Sequence, residues 1–244
     1  MTETEQQDKV LLPLDAPRSI ALRVNQKLLT WHFRRVTQPD WQKFFDGIVN
    51  RTLRHNGVEE RVFESDTALL ELVDRTLSSV HGYDFDATAA DWKAALPIQH
   101  KVTVGVVLRA VACETAVDDL VLGPHIDVRL TSSWSMEKQT GRMTTYSGLV
   151  HRFRHPSIEQ MREFNFETSR TRILGTGQDG VTVYPNRQSV AMRLYDQLID
   201  SVEGYAAKGE PLTGIEAIRS EMDAMHKATA AMQLFSPSQS IEIP

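Results

Sequence analysis

Internal repetition is the feature of this sequence that most restricts how the chain can fold. Residues 33–54 align without a gap with residues 153–174, and residues 67–83 align with residues 189–205. A third match joins two dipeptides later in the chain, His100-Lys101 and His226-Lys227. Three matches in the same order are typical of a tandem duplication, so the sequence predicts two copies of one folding unit.

The repeat also predicts the domain organisation of the 244 residues. The matches place one unit at residues 18–118 and a second at residues 124–236. Two linked copies of a unit are expected to pack around a pseudo-twofold axis. Residues 1–17 and 237–244 lie outside the repeat, and we expect them to be flexible tails.

Each unit is predicted to begin with a β-hairpin. Residues 19–24 and 27–36 alternate apolar and polar side chains on either side of Asn25-Gln26, which is the pattern of two antiparallel strands. Residues 125–130 and 143–154 repeat this pattern around a longer loop. The hairpin is therefore expected in both units.

Three helices are predicted to follow each hairpin. The first opens with a capping sequence, Thr37-x-x-Asp40 in one unit and Ser157-x-x-Gln160 in the other. The capping oxygens satisfy backbone amides that the first helical turn leaves without a partner. Apolar residues at helical spacing extend this first helix to Leu53.

The second and third helices are predicted from both copies together. Residues 67–83 and 189–205 each carry one apolar stripe at helical spacing. Residues 101–113 are rich in β-branched side chains and resemble a strand, but their counterpart, residues 215–235, is rich in Ala, Met and Glu. We therefore predict a helix in both, with Cys113 buried. The resulting fold class is α+β, with a hairpin and three helices in each unit.

The segment GTGQDG, residues 175–180, matches the glycine spacing of dinucleotide-binding loops. In those loops the glycines follow a strand and open a helix, whose first amides bind the phosphates. Here they follow a predicted helix and precede the extended residues 181–185. In the other unit Asn56-Gly57 takes the same place and is expected to end a helix. The segment is therefore interpreted as a helix stop followed by a turn.

Two histidines in HRFRH, His151 and His155, have the spacing of metal ligands on a helix. They lie at the end of a predicted strand that runs into Pro156, where this spacing does not bring the side chains together. The other unit has Trp31 and Arg35 at these positions. We predict solvated or core-edge histidines and expect no metal.

The strongest candidate for catalysis is a pair of equivalent histidines, His100 and His226. Together with Asp74 and Asp196 they could form one site between the two units. In the favoured interpretation each histidine packs against the same neighbour in its own unit, because neither has a nucleophile or carboxylate at a local spacing. An enzyme with its site between the units is the alternative.

Composition limits the classes of function. A single cysteine excludes an intramolecular disulfide and is typical of a reducing compartment such as the cytoplasm. The first ten residues are polar and acidic, unlike a secretory signal. The longest apolar run, residues 102–108, is too short to span a membrane. A net charge of −5 argues against a dedicated nucleic-acid binder.

Basic side chains are concentrated in the two predicted hairpins. The candidate interaction residues among them are Arg23, Arg34, Arg35, Arg129, Arg152 and Arg154. They could contact acidic helices of the same molecule or of another copy, which is the favoured interpretation. The alternative is that they bind the phosphates of a nucleic acid.

Amphipathic surface without a mutually supporting catalytic set predicts a non-enzymatic protein that binds itself or another assembly protein. A basic strand followed by a capped helix occurs twice, as FRRVTQPDW and FRHPSIEQM. This pattern, about 22 residues in each copy, resembles tail-assembly accessory proteins of bacteriophages. The resemblance implies a chaperone-like or structural accessory role, a cytoplasmic location in a bacterial or phage-infected cell, no cofactor, and a structural protein of the particle as partner.

Overall fold

The computed structural model describes residues 10–56, 58–85, 90–114, 123–137, 140, 142–174 and 180–235. Within these residues the fold contains seven α-helices and four β-sheets. The predicted α+β class is confirmed at this level.

The elements divide into a first part, up to residue 113, and a second part, from residue 125. The first part contains β1 (Leu12–Pro13), β2 (Arg18–Val24), β3 (Lys27–Phe33), α1 (Gln38–Gly47), β4 (Val49–His55), β5 (Val58–Glu64), α2 (Asp66–Thr76), β6 (Leu77–His81), a short 3-10 turn (Trp92–Ala95), α3 (Ile98–Leu108) and β7 (Val111–Cys113). The second part contains β8 (His125–Trp134), β9 (Thr144–Arg154), α4 (Ile158–Ser169), β10 (Arg172–Leu174), β11 (Gly180–Val183), α5 (Arg187–Leu198), β12 (Ile199–Glu203), β13 (Tyr205–Ala207), β14 (Glu210–Pro211), α6 (Ile215–Glu221) and α7 (Ala224–Phe235).

After β1, both parts present their elements in the same order. Each has two antiparallel strands, a helix, two further antiparallel strands, a second helix, a single strand and a later helix. The first part also has the 3-10 turn before α3 and β7 after it, and the second part has β13, β14 and α6 before its last helix. The predicted unit of one hairpin and three helices is wrong in detail, because each part contains a second hairpin and a further strand.

Four sheets combine these strands in the orders β2-β3-β6, β12-β9-β8-β7, β10-β11-β4-β5 and β1-β13-β14. In the first two sheets β6 pairs with β3 and β12 pairs with β9. Trp31 therefore lies opposite Val80, and His151 lies opposite Val202. The sheet β10-β11-β4-β5 is different, because it joins a hairpin from each part through the pairing of β11 with β4.

The contact between β11 and β4 does not fit the predicted pseudo-twofold axis. Such an axis would exchange β4 with β10 and β5 with β11, so a β11–β4 contact would require a β5–β10 contact in the same chain. Among the described residues, β5 and β10 instead lie at opposite edges of the sheet. The two hairpins are therefore arranged head to tail in this sheet.

The first hairpin is formed as predicted. β2 and β3 pair in register from Arg18–Phe33 to Val24–Lys27. Both turn residues between them, Asn25 and Gln26, have positive φ angles of 47° and 67°. A two-residue turn of this kind matches the twist of the strands it joins.

Helix α1 begins as predicted and ends earlier. The carboxylate of Asp40 accepts hydrogen bonds from the backbone amide and the hydroxyl of Thr37, at 3.0 and 2.7 Å. The helix ends at Gly47, and β4 begins at Val49. The predicted extension to Leu53 is wrong, because these apolar residues fit the alternation of a strand as well as a helical spacing.

Helix α4 also begins with the predicted capping contacts and ends earlier than predicted. Ser157 and Gln160 exchange the predicted capping hydrogen bonds, at 3.0 and 3.2 Å. The helix ends at Ser169, and the short strand β10 follows where the alignment with residues 33–54 predicted more helix.

The later helices are shorter than their apolar stripes. α2 and α5 end at Thr76 and Leu198, and the remaining apolar residues of each stripe lie on β6 and β12. α3 is helical as its counterpart predicted, but it ends before β7. Cys113 lies at the end of β7 and is exposed, so its predicted burial in a helix is wrong. Residues 215–235 form two helices, α6 and α7.

Part of the predicted N-terminal tail belongs to the fold. The amides of Leu12 and Leu14 donate to the carbonyl oxygens of Gly204 and Ala206, at 2.8 and 2.9 Å. Both leucine side chains are buried in the core of the second part. The tail prediction is therefore wrong for residues 12–14, because apolar side chains there fill a core. Residues 1–9 and 236–244 lie outside the described residues.

The two predicted domains share buried side chains. The core of the first part is built around Trp31, Trp41 and its own helices, yet it also contains Met192, Ala224 and Ala228 from α5 and α7. A boundary near residue 120 therefore separates the two sequence repeats, but it does not separate two independent hydrophobic cores.

Candidate functional site

The sheet β10-β11-β4-β5, which we call the open sheet, is at least partly exposed on both faces. No residue of these four strands is buried, whereas five of the seven residues of β3 are. An antiparallel sheet in a globular protein normally packs at least one face against a core. The open sheet is therefore a surface that the other described elements of the chain cover only in part.

One face of the open sheet is mainly aliphatic, and we call it the apolar face. Paired residues share a face, and residues two apart along a strand do so as well. By this rule the apolar face carries seven aliphatic residues, Val49, Leu53, Val58, Val62, Leu174, Val181 and Val183, together with Arg51, His55, Glu60, Glu64 and Arg172. Val58 and Leu174, at its two ends, are 69% and 57% exposed. The other five aliphatic residues of this face are partly exposed, and the opposite face also presents Phe63 and Ile173, which are 64% and 73% exposed. Apolar side chains left exposed on one sheet are typical of interaction surfaces.

The opposite face is anchored to the rest of the protein near the start of α5. The hydroxyl of Tyr184 lies 3.2 Å from that of Thr52, and the amide of Tyr184 donates to the carbonyl oxygen of Asn50 at 2.8 Å. Asn186 caps α5 and also donates from its side chain to the carbonyl oxygen of Phe45 on α1. These contacts fix the position of the open sheet while leaving its apolar face uncovered.

Arg34, Arg35 and Arg152, three of the six candidate arginines, form ion pairs with other described residues. Arg34 makes two hydrogen bonds to Asp40, at 2.7 and 3.0 Å. Burial alone would raise the pKa of Asp40, but hydrogen bonds from Arg34 and Thr37 outweigh it and hold that pKa well below its usual value. Arg35 reaches Glu221 on α6, with a contact of 2.7 Å to the carboxylate.

Arg152 is engaged in the same way in the second part. Its guanidinium makes two hydrogen bonds of 2.8 Å to the carboxylate of Asp127, and this contact lowers the pKa of Asp127. Arg154 donates to the carbonyl oxygen of Gln197 at 2.6 Å. Arg23 and Arg129 are exposed on β2 and β8. The hairpin arginines are thus mostly held by acceptors of the same chain.

Arg18, on the first hairpin, makes the deepest of these contacts. It is buried and donates to Asp223 at 2.6 Å and to the carbonyl oxygen of Leu108 at 3.1 Å. Asp223 also accepts a hydrogen bond from the indole of Trp41 at 3.2 Å. A basic hairpin and an acidic helix junction therefore complement each other within the molecule.

His100 and His226 each contact a tyrosine of their own part. The hydroxyl of Tyr83 lies 2.8 Å from Nδ1 of His100, and the hydroxyl of Tyr205 lies 2.8 Å from Nδ1 of His226. The two tyrosines occupy equivalent positions at the ends of the second repeat match. Both histidines thus have the same neighbour in each part.

The lysine that follows each histidine forms the same ion pair in both parts. Lys101 lies 2.7 Å from Asp74, and Lys227 lies 2.7 Å from Asp196. The histidine and aspartate proposed for a site between the units are therefore used separately in each part. This arrangement does not favour the enzyme alternative.

The second part adds two residues to its tyrosine–histidine pair. His151 lies 2.8 Å from the hydroxyl of Tyr195 through Nδ1 and 2.6 Å from the hydroxyl of Tyr205 through Nε2. Burial lowers the pKa of His151 well below its usual value and lowers the pKa of His226 to about 4, although Asp223 acts to raise the latter. Both rings are therefore neutral at pH 7.

The expected solvated or core-edge position is wrong for His151, which is fully buried. His155 is exposed and lies 2.9 Å from the carbonyl oxygen of Gly123, so the two histidines of HRFRH do not form one site. Among the described residues, no group of three His, Cys, Asp or Glu side chains is arranged to hold a metal ion.

The glycine segment GTGQDG lies between two strands. Residues 175–179 are outside the described residues, and Gly180 begins β11. The expectation that the segment follows a helix is wrong, because it connects β10 to β11. Asn56, expected to end a helix, lies in the β4–β5 turn with a φ of 48°. A strand on both sides again differs from the strand–glycine–helix order of dinucleotide sites.

Comparison of the chain with protein-family models, with curated proteins and with solved structures finds no match. In the part of the chain that the structure describes, every helix is too short or too polar to cross a lipid bilayer.

Proposed function

We propose that this chain is a non-enzymatic protein–protein interaction protein that takes part in assembly, and that the open sheet is its binding surface. The observation that carries this proposal is a four-stranded sheet without a buried residue and with an aliphatic face. Full burial of one Val or Leu side chain gains about 1.5–3 kcal/mol. Part of that gain is still available to a partner at each half-exposed position of the apolar face.

We also propose that the two parts are copies of one unit, redefined as two hairpins, each followed by a helix, then a strand and a last helix. The common element order supports this, and so do the paired contacts of Tyr83 with His100 and of Tyr205 with His226. A duplicated unit gives one chain two equivalent hairpins for assembly, and both contribute to the open sheet.

The resemblance of FRRVTQPDW and FRHPSIEQM to tail-assembly accessory proteins suggests the setting. We propose an accessory role in the assembly of a phage-like tail, in the cytoplasm of the host, with this chain or another structural protein as partner. The internal pairing of the hairpin arginines with carboxylates supports protein over nucleic acid as the partner.

The proposal is tested with two variants of neighbouring residues on β11. Val181→Asp places a charge on the apolar face, whereas Thr182→Asp places the same charge on the opposite face. The tagged proteins are used to capture partners from cells that naturally produce the chain, and self-association is followed by light scattering. We expect Val181→Asp to abolish binding and Thr182→Asp to retain most of it.

Two results would contradict the proposal. One is a wild-type chain that is strictly monomeric and recovers no protein. The other is equal binding by Val181→Asp and the wild type, with both variants folded by circular dichroism.

A further inference from the structure

We infer that copies of this chain associate head to tail through the edges of the open sheet, with β5 of one copy pairing with β10 of the next. This inference rests on the proposed function and identifies the partner as a second copy. It depends on the pairing of strands within the sheet and on the charges of its two edges.

The proposed contact already exists once inside each chain. By the order of elements, β5 corresponds to β11 and β10 corresponds to β4. The observed β11–β4 pairing therefore joins the second strand of one hairpin to the first strand of the next. A β5–β10 contact between copies repeats this connection.

The strand directions allow the same sheet to continue. All neighbouring strands in the open sheet are antiparallel, and the sheet has an even number of strands. A second copy in the same orientation therefore presents β10 antiparallel to β5. Among the described residues each of these two strands pairs on one side only, which leaves a row of backbone groups at each edge.

The two edges carry opposite charges. β5 exposes Glu59 and Glu60 and also carries Glu64, against one exposed base, Arg61, on the face opposite to Glu60 and Glu64. At the other edge, Arg172 of β10 and the nearby Arg170 are exposed. Glu59 lies on the opposite face and is paired with Arg54. Glu60 and Glu64 face the apolar side of this edge, and the carboxylate of Glu64 also accepts a hydrogen bond from the amide of Thr67 at 2.6 Å.

The register of the sheet predicts which residues meet. Arg172 lies in the same cross-strand row as Val183, Arg51 and Val62. If the rows continue without a shift, Arg172 of the next copy lies opposite Val62. Glu60 and Glu64 then lie diagonally on either side of it on the same face, within reach of a long side chain.

Charge also disfavours two of the symmetric pairings. A twofold β5–β5 contact centred on Val62 would place Glu60 opposite Glu64 of the second copy, and a β10–β10 contact centred on Arg172 would oppose Arg172 to itself. Like charges directly across a strand pair are destabilising. The complementary arrangement is heterologous, so that repeated addition gives a ring or a filament.

The experiment reverses the two charges singly and together. Sedimentation velocity and light scattering measure the mass of the wild type, Glu60→Arg, Arg172→Glu and the double variant over a range of concentrations. Glu71→Arg on α2 and Lys43→Glu on α1 are controls, because both residues are exposed outside the open sheet. Circular dichroism verifies that each variant is folded.

We expect the wild type to form species larger than dimers as its concentration rises. Each single reversal in the open sheet should weaken association on the order of tenfold, and the controls should not change it. The double variant should regain association, as should a mixture of the two single variants, because the reversed edges match again.

A monomer at all concentrations overturns the head-to-tail inference, while the proposed function still depends on the Val181→Asp capture experiment. Association that is unchanged by the open-sheet reversals also overturns it, and then copies meet through another surface. A double variant that stays as weak as the single variants contradicts the pairing of these two edges.

Discussion

The hairpins β2–β3 and β4–β5 belong to the same part of the chain but differ in what covers their apolar residues. Trp31 and Phe33 on β3 are buried in the core of the first part. Leu53 and Val62 on β4 and β5 are only half-buried. Alternation of apolar residues therefore predicts a strand with an apolar face, but it does not tell whether this chain or a partner covers that face.

The largest expected effect lies in the covered hairpin. Trp31→Ala removes a fully buried side chain that packs edge-on against Tyr83, at a ring distance of 5.9 Å. We expect it to lower the free energy of unfolding by about 4 kcal/mol, as measured by urea denaturation. A loss below about 1 kcal/mol would show that the two hairpins do not differ as described.

The next largest effect concerns the buried ion pair that attaches the first hairpin to the junction between α6 and α7. Asp223→Asn leaves the buried guanidinium of Arg18 without its counter-charge. We expect a loss of about 3 kcal/mol in the free energy of unfolding. Glu221→Gln is the matched control, because its pair with Arg35 is partly exposed and should contribute less than about 1 kcal/mol. Equal losses would contradict the assigned burial.

Acid should destabilise the second part through its histidines. The pKa of His226 falls from 6.5 to about 4 on folding, because burial disfavours the charged ring. The unfolded chain therefore binds the proton more readily, and stability is lost as the pH falls from about 6.5 towards 4. For His226 alone the loss is roughly 2–3 kcal/mol.

Thermal unfolding between pH 7 and pH 4 measures this loss. A His226→Gln variant should show a weaker pH dependence than the wild type, whereas His155→Ala, at an exposed position, should not. An unchanged pH dependence in His226→Gln would contradict the assignment.

The smallest effect on stability is expected in the open sheet. Val62→Ala truncates a half-exposed side chain of the apolar face and should change the free energy of unfolding of the monomer by less than about 1 kcal/mol. Urea denaturation at low protein concentration measures this. A loss as large as that of Trp31→Ala would mean that the apolar face supports the fold and is not free for a partner.

Local signals allowed part of this structure to be predicted. The Asn25-Gln26 turn and the capping residues Thr37 and Ser157 act within a few residues, and each was found where the sequence predicts it. The strands β4 and β10 were missed because their few apolar residues continue a helical spacing from α1 and α4. Whether these segments form a helix or a strand is decided by their pairing with strands that are distant in sequence.

The histidine–tyrosine contacts and the open sheet were likewise only partly predictable, because they join residues that are distant in sequence. The repeat identified His100 and His226 as equivalent, and the matched Gly-Tyr ends pointed to Tyr83 and Tyr205. No local spacing joined each histidine to its tyrosine, so the contacts were not predicted. The open sheet could not be predicted from local spacing either, because its central strands β11 and β4 are separated by more than half of the chain.

The most direct test of the open sheet as the binding surface compares two positions of equal exposure. Val58 on β5 is 69% exposed and Ile158 on α4 is 67% exposed. Each is replaced by a photo-crosslinking amino acid in a full-length chain, which is illuminated in the cells that produce it. We predict a cross-linked product with a second protein molecule from position 58 and none from position 158. Cross-linking from position 158 alone, or equal yields from both, would contradict the proposed binding surface.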